Sequence, residues 1–234
     1  EDTLSLHDAL PIYLDADPTA VIDVLAEDPA LEAVVAKAPG QRIPRTVDEH
    51  ELALRVVLGQ QVSMKAARTH TRRIVAAYGA AITDPVGTLT HVFPAVDELA
   101  DLRPEHLAFP QSRRQTLTIL IAALTDGAVT LHPGCDWHLA RHQLSALPGI
   151  GPWTAEVIAM RGLGDPDAFP ATDLGVQQSA KHLGLPHLPR QLVDHSSRWR
   201  PWRSYATQYL WTCLEHEVNI WPPKPQTAQT PQEK

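Results

Sequence analysis

Cysteine is scarce: Cys135 and Cys213 are the only two in 234 residues, and they stand far apart in unrelated contexts. They make neither a disulfide framework nor a metal knuckle. A reducing, intracellular location fits that usage. No apolar run approaches the roughly 18 residues that span a bilayer, so a water-soluble chain without a membrane partner is expected. Alternation of apolar and polar residues is nowhere sustained and Asn-Gly turns are missing, which argues against sheets. An excess of positive charge is also lacking. Net charge is −7, which taken alone argues against a nucleic-acid ligand. Its distribution changes the reading. Residues 1–40 hold nine acids and one lysine, whereas 41–234 hold eighteen acids and nineteen bases. A nucleic-acid surface on the later part must therefore rest on a few placed cations and backbone N–H groups.

What is present is helical. Asp17-Pro18 and Asp28-Pro29 each pair an N-cap with proline at the first helical position. Asp48 caps a helix striped by Leu52, Val56 and Val57 and ended by Gly59. After Gln60 and Gln61, Ser63 caps another that runs to Tyr78. Helices are further expected over about 96–102, 112–124, 136–147, 152–163, 173–182, 189–199 and 201–218. The last is aromatic on several faces, with Trp202, Tyr205, Tyr209 and Trp211, and so reads as buried. The expected class is all-α, with helices packed on helices around shared cores. Residues 1–12, EDTLSLHDALPI, read as a non-native, adapter-derived segment. Residues 223–234, polar and proline-rich, read as a disordered tail.

One stretch organises the rest. In Leu147-Pro148-Gly149-Ile150-Gly151 a helix ends and turns. Pro152 then opens a new helix, where a missing N–H costs nothing. The two glycines permit positive φ and close backbone approach. A turn that opens a helix aims free N–H groups and the positive end of a helix dipole at one outside point. That point suits an anion, and a nucleic-acid phosphate is the obvious one. Taken alone, the same turn is equally a plain connector. Lys65, Arg68 and Arg72 share one face of the helix that Ser63 caps, which by itself is as readily a solvated face.

The LPGIG turn, the Trp-Thr-Ala that follows it and the distal Asp173 resemble the helix-hairpin-helix DNA glycosylase superfamily, most of all the AlkA-type 3-methyladenine DNA glycosylases. The resemblance covers about 13–221. The missing cysteine cluster sets the chain apart from the superfamily's iron–sulfur branch. The resemblance implies a helical domain over 48–165 and a second over 13–47 plus 166–222, with a cleft between them. It also implies that an α/β domain normally preceding residue 13 is absent.

Carried over by motif, Asp173 is the catalytic carboxylate, although alone it is simply a good N-cap. A fixed carboxylate steadies the positive charge that develops on a sugar losing its base. Asp165 and Asp167 read as loop residues. Trp153 stands where strand-nicking relatives carry a Schiff-base lysine, which implies a monofunctional hydrolase. Trp153 and Trp211 match aromatic positions of the base pocket, and indoles attract a cationic alkylpurine. Val157 stands where an aromatic residue is common, and Gln60 belongs to the same pocket. Gln61 matches the residue inserted into DNA when a base is flipped. Gly149, Ile150 and Gly151, with Lys65, Arg68 and Arg72, are the DNA-binding set. A monovalent cation at the Leu147 and Ile150 carbonyls is the one metal implied; no cofactor is.

The activity implied is that of a DNA-3-methyladenine glycosylase II: a monomer acting on alkylated bases in duplex DNA, cytoplasmic and nucleoid-associated when bound. The alternatives are a relative for another lesion and a non-catalytic helix-hairpin-helix module.

Overall fold

The N-caps legible in the chain set the helices. In the computed structural model, which describes residues 16–84, 87, 89–103 and 110–213, Asp17 accepts from the Thr19 N–H and opens α1 (Pro18–Ala26). Asp28 accepts from the Ala30 N–H and opens α2 (Pro29–Lys37). Asp48 caps α3 (Glu49–Gly59) through the Glu51 N–H, and Ser63 caps α4 (Met64–Tyr78) through the Ala66 N–H. Each such cap satisfies a donor the helix cannot, at about 1 kcal/mol. Then come α5 (Gln111–Thr125), α6 (Trp137–Ser145) and α7 (Pro152–Ile158). The remaining helices are α8 (Leu174–His182), α9 (Pro189–His195) and α10 (Arg203–Thr212). The fold is all-α. Ala81 and His91 form an isolated β-bridge outside any named strand.

Two expectations are modified. The segment expected as a helix over 96–102 is a single 3₁₀ turn, Asp97–Leu99; the apolar positions Val96, Leu99 and Leu102 are buried, but that takes only one turn. The closing helix starts at Arg203 rather than residue 201, and its expected end at 218 lies outside the described residues, as do segments 1–12 and 223–234.

Two apolar cores carry the helices. In the first, α3 packs on α4, α5 and α7, burying Leu54, Val57, Leu58, Ile74, Leu117, Leu120, Leu144 and Ile158. In the second, α2 packs on α1 and α10, and α10 on α8, burying Leu25, Leu31, Val176, Leu192, Trp199, Tyr205 and Tyr209. The segment after α7 belongs to both. Ala159–Leu163 widens into a π turn ending at Gly164, whose φ is +74°. Ile158 and Leu163 face the first core, Ala159 and Met160 the second. The extra residue per turn rotates the helix face and lets one strut serve two cores.

The second core has a polar pin. The Asp28 carboxylate, 3% exposed, accepts from His195 Nε2 at 2.7 Å and Trp199 Nε1 at 2.9 Å. Burial by itself would raise the Asp28 carboxyl; the donors from Trp199, His195 and Ala30 outweigh it and hold the group below its ordinary value of 3.8. A depressed carboxyl stabilises the fold above its unfolded value, and that contribution is lost as pH falls through the folded one. Urea titrations should find Asp28→Asn less stable by about 1–3 kcal/mol at neutral pH. The gap should narrow below about pH 4, and a gap independent of pH would contradict this account.

Candidate active site

The hairpin is built by one glycine and one threonine. Leu147 receives the Ile150 N–H on its carbonyl at 3.1 Å, which closes the turn. Gly149 has φ +87°, and a Cβ there would lie 1.9 Å from Thr116 Oγ1 of α5. Nothing within 4 Å would meet a Cβ on Gly151. Ile150 is 6% exposed, so its side chain anchors the turn in the first core, while Pro148, Gly149, Gly151 and Pro152 are exposed. Beside the tip runs a groove of about 710 Å³ lined by Gln111, Ser112, Arg114, Gln115, Pro148 and Gly149.

The turn between α3 and α4 is tied to this hairpin. Gln60 donates its amide to the Gly149 carbonyl at 3.1 Å and to Thr154 Oγ1 at 2.9 Å. The sequence groups Gln60 with the base pocket; the structure engages its side chain with the hairpin. Its neighbour Gln61 is exposed and left-handed, at φ +52°. A non-glycine residue rarely holds that conformation unless its surroundings impose it. Lys65, Arg68 and Arg72 are all exposed on α4 just beyond.

Asp173 caps α8 by accepting the Val176 N–H at 2.9 Å. Its carboxylate also takes both indoles: Trp153 Nε1 donates to Oδ2 at 2.8 Å and Trp211 Nε1 to Oδ1 at 2.9 Å. Both tryptophans are hydrogen-bonded to the acid itself. Three helices, α7, α8 and α10, thus meet on one half-buried anion. Gly175 is tight against it, since a Cβ there would sit 3.1 Å from Asp173 Oδ1 and 3.3 Å from Trp211 Cδ1. Val157, one turn beyond Trp153, is buried in the first core.

The other two acids of this loop have partners of their own. Asp165 is buried and paired with Arg141. Asp167 is paired with Arg203 and Arg200, each at 2.6 Å. These pairs fasten the 164–172 loop and leave Asp173 as the carboxylate between the indoles.

Two further residues were not singled out in the sequence. The Arg161 guanidinium lies over the Trp211 ring, 5.1 Å from its centroid, and donates to Gln208 Oε1 at 3.2 Å. Burial pushes it below its ordinary value. No local pattern marks Arg161, because its partners lie some fifty residues away. Gly175 did carry a signal: a glycine in a helix's first turn is disfavoured without a spatial reason.

A family model described as the AlkA N-terminal domain matches residues 12–48. A relative from Mycobacterium tuberculosis (strain CDC 1551 / Oshkosh), named a probable bifunctional transcriptional activator/DNA repair enzyme AlkA, is 63% identical over 215 residues. That alignment takes 92% of this chain and 43% of the relative, so the chain spans less than half that protein's length. The DNA-3-methyladenine glycosylase of Bacillus subtilis (strain 168) is 31% identical over 209 residues, 86% of this chain and 69% of its own. The chain belongs to the DNA-3-methyladenine glycosylase family. The fold of this glycosylase family member also matches a Clostridium acetobutylicum 8-oxoguanine glycosylase/lyase in complex with duplex DNA. The TM-score is 0.76 at 21% identity, over 91% of this chain and 74% of that one. Among the described residues no helix is long and apolar enough to cross a membrane.

The two hairpin glycines should respond differently to one methyl group. Positive φ costs a non-glycine residue about 1–2 kcal/mol, and Gly149→Ala adds the collision with Thr116. Its loss of stability in thermal unfolding should reach about 2 kcal/mol or more, while Gly151→Ala should stay within about 0.5 kcal/mol of the parent. Equal losses would refute the assigned turn geometry.

Proposed function

We propose that this chain releases alkylated bases such as 3-methyladenine from duplex DNA by hydrolysing the N-glycosidic bond. The observation that carries the reading is the Asp173 carboxylate, held by two indole N–H groups and a helix amide. As the base departs, the sugar gains oxocarbenium character. An anion already fixed beside it stabilises that charge without having to reorganise. Neither Trp153 nor Trp211 can form a Schiff base, so the reaction stops at an abasic site and the strand stays whole. An alkylated purine carries positive charge, which both activates it as a leaving group and draws it to the indole faces.

DNA is held by its backbone. The Gly149, Gly151 and Trp153 N–H groups donate to a phosphate near the lesion. The Ile150 N–H is committed to Leu147, so Ile150 serves by shaping the turn. The Leu147 and Ile150 carbonyls are hard oxygen donors of the kind an alkali cation accepts. Leu147 spends one lone pair internally, which leaves one for such an ion between hairpin and phosphate. Lys65, Arg68 and Arg72 neutralise further phosphates. Gln61, already held in an unusual conformation at an exposed turn, enters the stack as the base leaves it. Gln60 keeps that turn in register with the hairpin. Residues 48–165 act as one helical domain and 13–47 with 166–222 as the other, of which 13–15 and 214–222 lie outside the described residues, and the extruded nucleotide lies between the two. The protein acts as a cytoplasmic monomer that joins the nucleoid when bound.

Methylated duplex DNA tests this directly. The natural chain should release free 3-methyladenine, and Asp173→Asn should slow release by about 10²-fold or more while binding DNA comparably. The strand should remain intact until heat or base is applied. DNA binding by both proteins without base release would make the chain a binding module, and spontaneous nicking would exclude monofunctional hydrolysis.

A further inference from the structure

Trp211 is gripped on two sides. Its Nε1–H reaches Asp173 at 2.9 Å, and the Arg161 guanidinium covers a face of the same ring. Arg161 stands in the π turn that continues α7, the helix that carries Trp153. Its side chain is steered by Gln208 on α10, one turn before Trp211, and its carbonyl accepts the Thr46 N–H at 3.2 Å. An indole near the end of α10 has two side-chain torsions to set. Donation to Asp173 requires one ring plane, and a planar guanidinium stacked on that ring selects a plane.

We propose that Arg161 is a positioning residue that acts through the face of Trp211 to hold its N–H on Asp173, and with it the carboxylate's orientation. Both indole donors to Asp173 are then governed from one segment: Trp153 sits on α7 itself, and Trp211 is reached through the π turn after it. The widened turn has a use beyond joining two cores, because it delivers the cation to the ring. The effect on base release rests on the glycosylase reading; the effect on the hydrogen bond does not.

The test compares Arg161→Met, which keeps side-chain bulk without charge, with Arg161→Lys, which keeps a cation. The readout that a merely structural role would not move is the ¹H–¹⁵N resonance of the Trp211 indole N–H, assigned with Trp211→Phe. In Arg161→Met that resonance should shift upfield as its bond to Asp173 weakens. Single-turnover release of 3-methyladenine should slow about tenfold, as small misplacements of reacting groups do, with affinity for undamaged duplex unchanged. Arg161→Lys, which keeps the cation but not the planar face, should restore part of both. Gln208→Ala, which removes only the acceptor that steers the guanidinium, should move the same resonance in the same direction and keeps the idea testable if Arg161→Met does not fold. An unmoved resonance in these variants overturns the proposal, as does a slowed release that lysine fails to rescue and that merely follows a drop in Tm. If the natural chain releases no base, the glycosylase reading fails while the resonance still decides the role of Arg161.

Discussion

A half-buried carboxylate needs donors to replace the water it has lost, and Asp173 obtains three of them from three helices. Val176 belongs to its own helix α8, Trp153 to α7 and Trp211 to α10. The cap from Val176 is local, but the two indole bonds form only when α7 and α10 dock on α8, so satisfying the anion and assembling that corner go together. Charge-assisted bonds are the stronger kind, and in a site of reduced dielectric they stiffen the group they hold. An anion held in this way has little left to rearrange.

The surroundings follow from the same requirement. The loop that leads to Asp173 carries two other acids, and each has a committed cation: Arg141 for Asp165, Arg203 and Arg200 for Asp167. Ser204, fully buried, donates to the carbonyls of Asp165 and Ala168 and pins the loop to α10. On the opposite side, Thr116 lies where any side chain on Gly149 would have to go, so α5 dictates the residue at the hairpin tip. Gln60 then couples the exposed, left-handed Gln61 to that same hairpin. Two turns about ninety residues apart in the chain are thereby held in one register.

The legible parts of the chain were those whose physics is local. An aspartate or serine before a helical pattern is a cap because its oxygen reaches an N–H two or three residues on, and Asp17, Asp28, Asp48, Ser63, Asp136 and Asp173 all do this. Helical spacing of apolar residues likewise named Val56 and Val57 of the buried face of α3, while Leu52 of the same stripe is only partly buried and Leu54 and Leu58 complete that face. Where a short apolar run lacked a helix's length, as at 97–99, periodicity overstated the element. The widening of the helix after Ile158 left no local trace, since it answers to two cores at once.

Sequence alone determined the helical class, the caps and the hairpin turn, and it singled out Asp173, Trp153 and Trp211, because each of these is written in residues a few positions apart or in a motif read as a string. Tertiary structure decided who touches whom. That both indoles donate to Asp173, that Gln60 serves the hairpin and that Arg161 lies on Trp211 depend on helix packing between residues 20 to about 90 positions apart. Such contacts are chosen by the shapes of the two cores, and no spacing along the chain encodes them.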